Sequence, residues 1–83
     1  MLYSYLFATL IAASPVGDKE IYLYSDKRNC ENGYYAELIS NNAVVDTGCW
    51  AHINGNPHFL VRWNSDGSVT RHEKEGTRPI ISV

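Results

Sequence analysis

INGNPHFLVRWNSDGSVTRHE, residues 53–73, decides the fold class. Asn54-Gly55-Asn56-Pro57 is the strongest turn signal in the chain, because Asn and Gly accept the left-handed backbone of a tight hairpin and proline cannot continue a hydrogen-bonded ladder. After it, Phe59, Val61 and Trp63 alternate with Leu60, Arg62 and Asn64, the period-two pattern of a strand with one face toward a core. Ser65-Asp66-Gly67-Ser68 has Asp-Gly at its centre and closes a second hairpin, from which Val69–Glu73 returns as the partner strand.

Working back toward the N-terminus, the same grammar repeats. Glu20 to Tyr24 alternates Ile21 and Leu23 with Tyr22 and Tyr24 and reads as a strand. Ser25 to Gly33 is a polar, turn-rich loop carrying the first cysteine, and Tyr34 to Ile39 is a second strand. Ser40-Asn41-Asn42 suits a tight turn with Asn in the left-handed region. Ala43 to Asp46 opens a third strand, which resumes after Thr47-Gly48 and runs to Ile53; glycine there signals a bulge or a close backbone approach. The tail after Gly76 either adds an edge strand or frays. Short connections throughout give an all-β fold: a small antiparallel meander of about five strands, as a curled sheet or half-closed barrel. The expected core is Ile21, Leu23, Leu38, Val44, Trp50, Phe59, Val61, Trp63 and Val69.

The first 17 residues, MLYSYLFATLIAASPVG, carry no charged side chain, and charged residues recur from Asp18 onward. An apolar run of this length followed by small residues has the layout of a signal peptide, expected as a helical leader over 1–17 with cleavage after Ala13 or Ser14, ahead of a domain over 18–83. No basic residue precedes the run, so the alternative stays open that it is folded structure of a cytosolic protein, with Leu2, Leu6 and Leu10 along one face. After removal of the leader no stretch is long and apolar enough for a stable membrane span.

At 83 residues the chain is one domain at most, in the range where a core alone supplies only about 3–5 kcal/mol and a staple makes up the difference. The chain has two cysteines, Cys30 and Cys49, and in an exported protein they pair. The competing reading is a metal site on Cys49 and His52, which have a two-residue spacer but lack a second short-spaced pair.

A net charge of −2 with dispersed basic residues gives no reason to approach phosphate, so nucleic acid is not an expected partner. The sequence has no G-x-S-x-G, no H-E-x-x-H and no phosphate-cradling glycine loop, and His52, His58 and His72 read as strand-end residues, with His52 and His58 placed to face each other across a turn. A meander of this size is not expected to enclose a cleft of a few hundred Å3, so no enzymatic activity and no cofactor are expected. Aromatics exceed what so small a core can bury, which makes Tyr22, Tyr24, Tyr34 and Tyr35 a candidate binding face for a protein. An exposed edge strand also offers a route to homo-oligomers.

The order of apolar leader, strand, first cysteine, Val45-x-x-Gly48-Cys49-Trp50, a strand with Trp63 and an Asp66-Gly67 turn resembles small exported proteins of bacteria and their phages. That resemblance covers roughly Ile21 to Gly67. It implies export to the periplasm or beyond and a β-rich body, and it assigns no activity. The expectation is therefore a non-enzymatic exported binding module that meets a protein at the cell envelope; the alternatives are a cytosolic inhibitor or accessory protein and a small metal-binding protein.

Overall fold

The structure is a computed structural model and describes residues 10–52, 55, 57–74 and 77–79. Among the described residues seven strands form one sheet: β1 (Leu10–Val16), β2 (Lys19–Tyr24), β3 (Tyr34–Ser40), β4 (Ala43–His52), β5 (His58–Trp63), β6 (Val69–Glu73) and β7 (Arg78–Pro79). Their order is β6-β5-β4-β3-β2-β1-β7, and every pairing is antiparallel. The all-β meander expected from sequence is present, extended by a strand at each end.

The topology forces curvature. Six inter-strand steps in a flat sheet would set β6 and β7 about 29 Å apart. The chain from Glu73 to Arg78 spans at most about 18 Å, so the sheet must curl toward a half-barrel to let β7 reach the far side of β1.

Residues 10–16 are not a helical leader but a strand inserted between β2 and β7, with Ala13 and Ser14 buried. Pro15 cannot continue a helix and restricts Ser14 before it toward extended backbone, and Gly17-Asp18, with Gly17 at φ 63°, makes a two-residue hairpin to Lys19. The rest of the expected leader, residues 1–9, lies outside the described residues, as do Ile53, Asn54 and Asn56 of the expected turn, residues 75–76 and the tail from residue 80. The Asn41-Asn42 turn is as expected, with both residues left-handed at φ 53° and 64°.

The concave face holds one cluster: Ile21, Leu23, Ala36, Trp50, Phe59, Val61 and Trp63, with Ile11, Ala12, Val16 and Leu38 packed against it. Both indoles keep a partner as they are buried: Trp50 Nε1 donates to the Tyr24 carbonyl at 2.9 Å, and Trp63 Nε1 donates to Thr70 Oγ1 at 2.9 Å. Two expected core residues are corrected, Val44 at 50% and Val69 at 58% exposure. Val69 pairs with Arg62, on the opposite face from Val61 and Trp63. Val44 lies beyond a register shift between Leu38 and Ile39; it pairs with Ile39 and so leaves the face that Leu38 occupies.

Gly48 sits inside an unbroken β4, so of the two readings of this glycine close approach is the one realised. A Cβ there would lie 2.3 Å from the Arg62 carbonyl oxygen and 3.2 Å from Cε3 of the Trp63 ring. Both neighbours belong to a paired strand and cannot yield cheaply. Gly48→Ala is expected to lower the unfolding free energy by about 1–3 kcal/mol, measured by chemical denaturation; an unchanged midpoint would contradict this packing.

Candidate functional site

The loop between β2 and β3 builds the most organised polar group in the molecule. Its ends are tied by Tyr35 N–H donating to the Asp26 carbonyl at 2.9 Å, and Cys30 N–H donates to the Lys27 carbonyl at 2.7 Å. Between these, Arg28 takes a left-handed backbone at φ 47°, a conformation that a long side chain adopts only at a cost of about 1–3 kcal/mol. The turn aims Arg28 back over the sheet. Its Nε donates to Asp26 Oδ2 at 2.8 Å, and its guanidinium lies 4.0 Å from the Tyr35 ring centroid and 4.8 Å from that of Tyr24. The other Asp26 oxygen is buried with no hydrogen-bond partner among the described residues, which leaves the carboxylate dependent on Arg28.

The two tyrosines are fixed from below. Tyr24 and Tyr35 rings sit 5.3 Å apart, and their hydroxyls donate to the two oxygens of Glu37 at 2.7 and 2.9 Å. Burial, then the hydrogen bond to Glu37, pushes both phenols up, Tyr24 well above the usual tyrosine range, so they stay protonated donors. Burial works against the Arg28 charge, but Asp26 outweighs it and the guanidinium holds its proton more tightly than usual. The result is a pre-ordered charged cluster in which Arg28 caps a tilted pair of tyrosine rings.

Of the four expected tyrosines, Tyr22, Tyr24 and Tyr35 share the convex face, since Tyr22 pairs with Glu37 and Ala13. Tyr34 does not join them. Consecutive strand residues point to opposite faces, and Tyr34 lies against Trp50 on the concave side, with ring centroids 5.5 Å apart and Lys27 Nζ 5.6 Å above it. Arg28, Asp26 and Glu37 were not legible as partners of the tyrosines. Glu37 lies two residues from Tyr35 on one strand face and offers a signal in hindsight; nothing in the sequence marks Arg28 as left-handed.

Cys30 and Cys49 form a disulfide. Cys49 is therefore no thiolate ligand, and it lies on the convex face while His52, three residues on, lies on the concave one, so the Cys49–His52 metal pair is not assembled. Among the described residues no group of three or more His, Cys, Asp or Glu is placed to hold a metal. His52 pairs with Phe59 and stacks over Trp50, whereas His58 pairs with Glu73, so these two histidines face away from each other. Among the described residues no helix is long and apolar enough to cross a membrane.

His72 occupies the concave side, 5.3 Å from the Phe59 ring. Thr70 Oγ1 accepts from the Trp63 indole, which leaves its proton for His72 Nε2 at 2.7 Å, an arrangement suited to neutral imidazole. Burial lowers the His72 pKa. In the unfolded chain the ring protonates near pH 6.5, before it does in the fold, so stability is full above about pH 6.5 and falls as the pH drops below it. Chemical denaturation at pH 7 and pH 5 should show that loss in the wild type and a smaller one in His72→Gln; equal losses would remove His72 as the cause.

Two open grooves lie on the described surface, one of about 550 Å3 on the convex side beside the disulfide, lined in part by Asn29, Glu31, Arg62 and Val69, and one of about 370 Å3 on the concave side. Compared with protein-family models, with curated proteins and with solved structures, the chain matches none.

Proposed function

We propose that this chain is a non-catalytic binding module of an oxidising compartment, which engages a protein partner at the cell envelope through the convex face of β2 and β3. The observation that carries this reading is Arg28, held at φ 47° over the paired rings of Tyr24 and Tyr35. Arginine and tyrosine are the residue types that dominate interface energetics, and side chains ordered in advance lose less entropy on binding. Tyr22 beside them extends the face. The disulfide supports the compartment, since such bonds persist outside reducing cytosol, and the resemblance to small exported bacterial and phage proteins agrees with it.

Cleavage after Ala13 or Ser14 would cut through β1 and strip Leu10–Ala13 from between β2 and β7. The reading that accommodates both features is export with residues 10–16 kept in the folded chain. The same strand favours the cytosolic alternative, in which the apolar N-terminal stretch is part of the fold. The mass of protein from its native host, before and after reduction, separates the two: a two-proton gain belongs to the exported form and its absence to the cytosolic one.

The face itself is tested by capture from host envelope fractions on immobilised wild type and on Arg28→Glu, with a melting curve to show that the variant is folded. A partner held by wild type and released by Arg28→Glu is expected. A partner held equally by both would move the interface elsewhere.

A further inference from the structure

The 370 Å3 cavity on the concave side has an apolar floor of Ile11, Leu23, Trp50 and Phe59. Its size falls within the range of small-ligand sites. β1 contributes through an irregularity: the register with β2 shifts between Leu10 and Ala12, and consecutive residues Ile11 and Ala12 both line the cavity, which a regular strand would not allow. The described part of the rim is polar. Lys74, Thr77 and His52 line it, and no carboxylate occurs among the described lining residues. Other donors are engaged, since the Trp50 indole donates to Tyr24 O and the Thr77 hydroxyl to Glu73 O. Lys74 has no ion-pair partner among the described residues. A guest would thus meet hydrocarbon and aromatic surface, with Lys74 the one Lys, Arg, Asp or Glu among the described lining residues. The cleft beside the disulfide offers no such selectivity, because Glu31 and Arg62 line it together.

We infer that this cavity binds a small amphiphilic anion, an apolar body seated on Trp50 and Phe59 with a single carboxylate or sulfonate at Lys74. Excluding water from the floor supplies the attraction, and Lys74 selects the sign of the head group.

The probe is decanoate, kept below its micellar concentration and titrated into the full chain by calorimetry and by amide NMR. One saturable site is expected, with shifts concentrated at Ile11, Ala12, Leu23 and Thr77. Decyltrimethylammonium, with the same tail and opposite charge, should bind at least about tenfold more weakly, and Lys74→Glu should weaken decanoate by about the same factor without changing the melting temperature, since Lys74 is exposed. Ala12→Leu, which fills the floor, should abolish binding of both probes. No saturation by about 1 mM, equal affinity for the two surfactants, or shifts centred on Tyr22, Tyr24 and Tyr35 would overturn the inference.

Discussion

Replacing both cysteines, as Cys30→Ser with Cys49→Ser, is expected to lower the melting temperature by roughly 12–24 °C. The bond closes a loop with a sequence separation of 19, for which chain entropy gives about 3 kcal/mol, and a domain of this size moves about 4–8 °C per kcal/mol. Net stability at this length is itself only about 4–12 kcal/mol, so the staple is a large part of it. The loss should also be local. Cys30, buried in the β2–β3 loop, is anchored to β4, and the same loop carries Asp26 and Arg28. Loosening it should free the guanidinium from the two rings, visible as a change in the near-ultraviolet tyrosine signal. Wild type melted with reductant should match the double variant. A shift below about 3 °C in either would show that the sheet holds itself without the bond.

How much of this was legible depends on which forces the residues express. Phe59, Val61 and Trp63 announce their face because large apolar groups alternate with polar ones, and the structure places all three in the core. Val69 misleads because its hydrophobicity suggests burial, whereas its pairing with Arg62 turns it to the convex face. Val44 could not have been placed, since the shift between Leu38 and Ile39 that turns it outward is a cooperative outcome of pairing with no local marker. β1 was hidden for a different reason. Ile11-Ala12-Ala13-Ser14-Pro15-Val16 has no polar alternation, so composition spoke for a leader while only Gly17-Asp18 spoke for a hairpin. In the candidate site, tyrosines were recognisable as surface anchors by excess over the core, but their grouping depended on strand parity, which separates Tyr34 from Tyr35, and on one left-handed arginine.

Phe59→Ala should be the most damaging single substitution, with a loss of about 3–5 kcal/mol, while Val69→Ala and Val44→Ala should each stay within about 0.5 kcal/mol. Phe59 is 2% exposed at the centre of the concave face, edge-on to Trp50 with ring centroids 6.3 Å apart and against His72 on β6. Removing the ring opens a void bounded by backbone that is hydrogen-bonded to both neighbouring strands, so little can collapse into it. The two valines lose methyl groups that already face water. Denaturant midpoints for the three variants therefore measure the register of β3–β4 and β5–β6 directly. If Val69→Ala cost as much as Phe59→Ala, β6 would have to be paired one residue out of step, exchanging Thr70 and His72 for Val69 and Arg71 on the concave side. That exchange would bury a guanidinium beside Phe59 and leave the Trp63 indole without Thr70, two penalties the observed register avoids.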